Sequence, residues 1–224
     1  MSKYEVEIKS LLGKKSAADD LILKMESFDP NFKKVSQNSQ LNHYFKESDI
    51  VYLYKKIEKY LTYEIAQKMR DIIKVGDKFS VRTRQKDSEV FLVIKASVDE
   101  GTSENTVSRL EFEEKMDLTL NELDALVLDS GYTYQAKWSR DRSEYIYKNM
   151  NVCIDRNAGY GYLVEFEKVV DNRDDIPKAK AEIELSMKEL DLEKLPQDRL
   201  ERMFEYYNNN WHQYYGTSRT FNIK

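Results

Sequence analysis

The six residues Tyr4-Glu5-Val6-Glu7-Ile8-Lys9 limit what this chain can fold into more than any other stretch. In an extended strand successive side chains point to opposite faces, so Glu5, Glu7 and Lys9 share one face while Val6 and Ile8 occupy the other. Neighbouring carboxylates repel, and the pair wants a cation. A half-solvated antiparallel edge shows the same alternation, so the stretch gains meaning only because the pattern recurs. Later strand-like runs place Arg82 and Arg84, then Lys95, then Arg109, Glu111 and Glu113, then Arg140 and Arg142, then Asp155, then Glu165 and Glu167 at one parity. The other parity is mostly apolar: Val81, Leu92, Ile94, Leu110, Phe112, Ile154, Val164 and Phe166.

The runs that carry these residues read as strands near 3–12, 40–45, 78–86, 89–97, 106–116, 133–147, 150–156 and 161–170. Between them the spacing predicts a short helix from Ser16 to about Phe28 and one long helix over Ile50 to Val75, ended by Gly76. A further helix is expected from Leu118 to Ser130, stopped by Gly131, and two more near 176–190 and 196–212, before an extended tail. Seven Gly and three Pro in 224 residues leave little room for flexible linkers, and one domain over 1–224 is the simpler reading.

Two architectures accommodate the alternation. A sheet with its charged face in water and its apolar face on helices is the ordinary half-buried arrangement. The other is a sheet closed into a barrel, charges inside and helices outside. The aligned set holds seven bases and seven acids, six of the acids written as three Glu-x-Glu groups rather than scattered. Burying ions is costly unless each is paired, so an enclosed charged face calls for a ligand. Carboxylates without His or Cys suit hard cations such as Mg²⁺ or Mn²⁺, and guanidinium forks match phosphate oxygens. Together they describe a site for a metal-chelated polyphosphate.

Charge and cysteine content narrow the partners. With 36 Lys plus Arg against 40 Asp plus Glu the net charge is −4, which gives no general attraction to nucleic acid or to an anionic membrane. The single cysteine, Cys153, rules out an internal disulfide. Neither an apolar run of about 18 residues nor a signal-type start is present, so a cytoplasmic setting is the expectation.

At this point the motifs resemble those of a known family, the CYTH superfamily or triphosphate tunnel metalloenzymes, which includes class IV adenylyl cyclases and thiamine and inorganic triphosphatases. Glu5-Val6-Glu7-Ile8-Lys9 matches its Glu-x-Glu-x-Lys strand, Val81-Arg82-Thr83-Arg84 its Arg-x-Arg strand and Val93-Ile94-Lys95 its lysine strand. Arg109-Leu110-Glu111-Phe112-Glu113 fits the central acidic strand, and Arg140-Asp141-Arg142-Ser143-Glu144-Tyr145 the basic strand. Asp155 with Gly161-Tyr162-Leu163-Val164-Glu165-Phe166-Glu167 fits the final acidic strands. The matches run in order over about residues 3–170.

The resemblance implies an α+β fold, an eight-stranded antiparallel β-barrel forming a tunnel with a charged lumen and helices packed outside, followed by C-terminal helices and tail over 171–224. It implies Mg²⁺ or Mn²⁺ held by Glu5, Glu7, Glu165 and Glu167, with Asp155, Glu111 and Glu113 completing or orienting the metal site. It implies a triphosphate held by Lys9, Arg82, Arg84, Lys95, Arg109, Arg140 and Arg142, of which Lys9, Arg140 and Arg142 are the catalytic candidates. The substrate would be ATP, thiamine triphosphate or tripolyphosphate, most simply hydrolysed at the terminal phosphate. A class IV cyclase releasing cyclic AMP and pyrophosphate is the alternative, a polyphosphate-binding module without turnover the third reading, and cyclase-type relatives are often homodimers. Here Arg140 stands where relatives commonly carry Lys, and the 50–75 helical stretch is longer than in many of them.

Other residues carry less. His43 and His212 lack the spacing of a metal pair, and Cys153, at the parity of Asp155, has no evident base partner. Tyr206, Tyr207, Tyr214, Tyr215 and Trp211 read as a packed aromatic group outside the barrel, with base stacking as the alternative.

Overall fold

A computed structural model describes residues 4–97 and 109–223. Eight strands form one sheet: β1 (Tyr4–Gly13), β2 (Lys33–Lys46), β3 (Phe79–Lys86), β4 (Glu89–Ser97), β5 (Arg109–Met116), β6 (Thr133–Tyr147), β7 (Met150–Asn157) and β8 (Gly161–Val170). Their order is β1-β8-β7-β6-β2-β3-β4-β5. The ladders β1–β8, β8–β7, β7–β6, β2–β3, β3–β4 and β4–β5 are antiparallel. The helices are α1 (Lys15–Phe28), α2 (Ile50–Ile57), α3 (Tyr63–Val75), α4 (Leu120–Leu128), α5 (Ile176–Glu189) and α6 (Gln197–Asn210). The expected α+β class and eight antiparallel strands are thus observed. The order leaves β1 and β5 at its two ends, and among the described residues no ladder joins them, so hydrogen bonds do not close the ring that the sequence suggested.

The single helix expected over 50–75 is broken. A 3₁₀ turn at Glu58–Tyr60 follows α2, Leu61 turns extended, and the Thr62 side chain accepts a hydrogen bond from the Ile65 amide to start α3. The apolar spacing runs through Ile57, Leu61 and Ile65 without a gap, so periodicity alone hid a cap that satisfies one orphan amide. β2 begins seven residues before the expected strand, because its first half, Lys33–Ser39, is polar except for Val35 and carries no alternation to read.

By its internal contacts the described chain divides into two compact units, one of residues 4–39 and 139–223, the other of 40–97 and 109–138. In the first, Val6, Ile8, Tyr145, Tyr147, Val152, Ile154, Val164 and Phe166 pack against Ala18, Leu21 and Met25 of α1 and Ala179, Ile183 and Met187 of α5. In the second, Phe45, Val81, Leu92, Ile94 and Phe112 pack against α2, α3 and α4. The parity assigned to the core is therefore the parity that is buried. Each fully buried aliphatic or aromatic side chain removes roughly 1.5–3 kcal/mol worth of apolar surface from water, and in each unit this burial commits one sheet face to helices.

One polar group sits within the second core. Asp124 of α4 is 3% exposed; Thr83 Oγ1 donates to it at 2.6 Å, Tyr134 OH at 2.6 Å, and His43 Nδ1 lies 2.7 Å away. Burial would raise its pKa, but the bonds from His43, Thr83 and Tyr134 outweigh burial and hold it below the usual aspartate value. A carboxyl lowered in the folded state contributes stability that is present above its unfolded pKa, ordinarily 3.8, and is lost as pH falls through its folded value. Asp124→Ala removes the acceptor shared by buried Thr83 and His43 and part-buried Tyr134 and is expected to lower unfolding free energy by about 2–4 kcal/mol, read as a lower urea midpoint at unchanged slope.

Candidate functional site: a carboxylate and guanidinium face

In the first unit the registers set Glu7 opposite Glu167, Lys9 opposite Glu165, Cys153 opposite both Glu165 and Glu144, and Arg142 opposite Asp155. All lie on the face away from α1 and α5, so sequence parity and strand pairing alone bring eight candidates, Glu5, Glu7, Lys9, Arg140, Arg142, Asp155, Glu165 and Glu167, to one surface.

Its centre is a guanidinium clamp. Asp155, 1% exposed, accepts from Arg142 Nε and Nη2 at 2.7 Å each and from Arg140 Nη1 at 2.9 Å. Arg142 Nη2 also donates to Glu165 Oε2 at 2.7 Å. This two-point fork fixes the plane of Arg142 as well as its position. Burial would lower its pKa; Asp155 and Glu165 more than reverse that. Burial likewise acts to raise Glu165, and Lys9, Arg142 and Arg140 hold it well below the ordinary glutamate value. Lys9 Nζ stands 2.5 Å from Glu7 Oε1 and 3.5 Å from Glu165 Oε1; desolvation, which lowers its pKa, is overcome by these two carboxylates. Both ends of this network remain charged at neutral pH.

At the β1–β8 edge the balance reverses. Glu167 is pushed up to about 7, by burial first and then by the charges of Glu5 and Glu7, with a hydrogen bond from its acid form to Glu5. Three carboxylates crowd there with Lys9 as the nearest cation, and Lys9 is shared with Glu165. Beside them a cleft of about 160 Å³ is lined by Val35, Arg142, Glu144, Tyr145, Asn151, Cys153 and Glu167. Burial raises the Cys153 thiol to about 12, so at neutral pH it is a neutral packing group.

In the second unit Arg84 donates to Asn42 Oδ1 at 2.9 Å and Glu113 Oε1 at 2.7 Å, and Lys95 Nζ lies 3.4 Å from its register partner Glu111. Arg82 donates to Tyr44 OH at 3.1 Å. Arg109 opens β5, and its side chain lies outside the described residues. Asn42, which accepts from Arg84 in the second unit, and Asn38 and Glu144 of the first were not among the sequence candidates. Their parity was visible, but only charged residues at the motif positions were collected. Asn38 Nδ2 lies 3.4 Å from Glu144 Oε1.

The C-terminal segment closes one end of the first unit's face rather than lying outside the sheet. Leu200 and Met203 of α6 with Phe204 and Phe221 cover Leu11 and Leu163, which share the parity of Lys9 and Glu165. The tail bridges the β7–β8 turn, where Gly159 donates to Arg219 O and Phe221 donates to Gly159 O. Gly159 has φ +97°, and a Cβ there would lie 2.6 Å from the Tyr207 ring. Tyr207 and Tyr214 are buried in this packing.

No protein-family model matches the chain, and no curated protein matches it in sequence. Solved structures do. A proposed adenylate cyclase from Vibrio parahaemolyticus superposes with a TM-score of 0.58 at 12% identity, over 88% of this chain and 95% of that one. The chain shares its fold. Two proteins of Pyrococcus horikoshii OT3 share it: PH1819 at TM-score 0.57 and 23% identity, over 87% of this chain and 94% of that one, and PH1012 at 0.59 and 17%, over 84% and 91%. Among the described residues no helix is long and apolar enough to cross a membrane.

Proposed function

We propose that this chain is a divalent-metal-dependent enzyme acting on triphosphates, and that it hydrolyses the terminal phosphate. The observation that carries the reading is the pairing, on one face, of an arginine clamp locked by Asp155 with a carboxylate group that repels itself. Arg140 and Arg142 present fixed donors for phosphate oxygens. Lys9 is the cation that a phosphate would draw from Glu7 and Glu165. The Vibrio structure of the same fold, described as a proposed adenylate cyclase, supports a triphosphate as the ligand class.

Among the described residues no three or more His, Cys, Asp or Glu side chains are already gathered as a metal cage. The donors nevertheless fit a hard dication in type: Glu5, Glu7 and Glu167 offer oxygen only, and the burial and mutual repulsion that push Glu167 up to about 7 are what a bound dication would offset. When bound, Mg²⁺ or Mn²⁺ would neutralise charge on phosphate oxygens during in-line attack. Asp155, with both oxygens on arginines, orients the clamp. Metal binding must displace the Glu167 proton, so affinity for Mg²⁺ is expected to rise with pH up to about 7 and to level off above it; calorimetry in buffers of different ionisation heat reads the proton released.

Chromatography of products from ATP, thiamine triphosphate and tripolyphosphate with Mg²⁺ or Mn²⁺ tests the reaction. Orthophosphate is expected. Cyclic AMP with pyrophosphate would instead assign the cyclase reaction, and binding without any product would leave a polyphosphate-binding module.

A further inference from the structure

In the second unit the helical stretch from Ile50 to Val75 packs one side on the core and turns the other to solvent. Ile50, Leu53 and Ile57 of α2 are buried. Tyr52, Lys55 and Lys56, spaced i, i+3, i+4 on one helical face, are exposed, as are Lys59 and Tyr60 in the 3₁₀ turn and Tyr63 at the start of α3. Val51 is 40% exposed, Tyr52 60% and Tyr63 75%, so these side chains protrude instead of lining a groove. Among the described residues Lys55, Lys56 and Lys59 form no ion pair, and the neighbouring acid Glu58 is engaged by Arg70 at 3.7 Å and by Tyr54 OH at 2.5 Å. Over residues 50–75 six Lys and Arg stand against three Asp and Glu. This surface is positive on a chain whose net charge is −4, and it attracts anions locally where the chain as a whole does not.

The rings already carry cations of their own. Lys55 Nζ lies 5.5 Å from the Tyr52 centroid, Lys59 Nζ 4.9 Å from that of Tyr60, and the Arg70 guanidinium 6.0 Å from that of Tyr63. The faces on which a nucleobase would stack are thus taken, which disfavours a single-stranded nucleic acid. A folded protein would need a pocket for each protruding ring. A lipid headgroup layer needs neither. It takes ring edges and Val51 into its apolar boundary, keeps tyrosine hydroxyls at the wet level, and meets lysine ammonium groups carried outward on their aliphatic stems.

We propose that the exposed face of α2, with the turn into α3, is a peripheral docking surface for an anionic lipid bilayer. Three lysines and a few apolar side chains give reversible attachment, strongest at low salt. None of these residues belongs to the carboxylate and guanidinium face, so docking is independent of the triphosphate reading.

Sedimentation of the full chain with vesicles tests it. Binding to vesicles of phosphatidylcholine mixed with phosphatidylserine is expected, with little binding to phosphatidylcholine alone and release by salt. Lys55→Gln/Lys56→Gln/Lys59→Gln is expected to weaken binding about a hundredfold, and Tyr52→Ser/Tyr63→Ser to weaken it with the lysines intact. Both variants change only exposed side chains and are expected to melt near the wild-type temperature. Equal binding to the two kinds of vesicle, undiminished binding by the lysine variant, or no binding to either would overturn the proposal. Binding of a single-stranded oligonucleotide in place of vesicles, lost in the lysine variant, would overturn it in favour of nucleic acid.

Discussion

Asp155→Ala is expected to lower the unfolding free energy of the metal-free protein by about 3 kcal/mol. The carboxylate is 1% exposed and is the shared acceptor for three donors from two arginines. Its loss takes from Arg142 the acceptor of two of its hydrogen bonds, and Glu165 must then hold Arg142 through the bond it already makes. The clamp would also lose its fixed plane, and a displacement of about 1 Å in such a group costs on the order of a hundredfold in rate. Asp155→Asn keeps the shape but removes the charge, so an intermediate loss is expected. Denaturant titration and turnover on the two variants check this. Were Asp155 chiefly a metal ligand, its removal would relieve repulsion and leave the metal-free protein no less stable.

Glu167→Gln should show that opposite sign. The carboxyl, pushed to about 7 against an ordinary 4.5, holds a proton in the folded state that the unfolded chain has already lost. Stability therefore falls as pH rises from about 4.5 to 7 and stays at the lower level above that range. A shift of this size sets a ceiling of roughly 3 kcal/mol at 1.36 kcal/mol per pKa unit, and solvent screening at this part-exposed position brings it to on the order of 1 kcal/mol. The amide cannot ionise, so at pH 8 the metal-free variant is expected to melt higher than the wild type, while at pH 4 the two coincide. Turnover moves the other way. Losing one of the three carboxylates proposed for the metal removes several kcal/mol of charge stabilisation, on the order of a thousandfold, and Glu5→Ala is expected to match it with the fold retained. A gain in stability joined to a loss of rate marks a group kept for chemistry. A fall in both would mark Glu167 as a structural residue.

The face that carries these predictions could be read from the chain because strand parity is a local property. Glu5, Glu7 and Lys9 had to share a side, and so did Glu165 and Glu167, whatever the tertiary structure. What parity cannot supply is which acid meets which base. Asp155 reads as one more carboxylate in a row of acids, and only the β6–β7 register reveals that both its oxygens are committed to arginines. Asp124 was missed for the complementary reason. It lies in an apolar-periodic helix where a lone aspartate suggests solvent, and its partners His43, Thr83 and Tyr134 come from three different strands. The break after α2 was hidden because one threonine cap leaves the apolar spacing intact. The C-terminal tyrosines read as one aromatic cluster, and local density in sequence is no guide to exposure: Tyr207 is fully buried.

Phosphorus-31 spectra of the purified chain mixed with ATP or tripolyphosphate, with and without Mg²⁺, test the central claim most directly. The account predicts that orthophosphate appears only when the dication is present, and that Glu167→Gln, correctly folded by its raised melting point, does not produce it. Orthophosphate release that persists in chelator, or undiminished release by Glu167→Gln, would contradict the assignment of this carboxylate face as a metal-dependent triphosphate site.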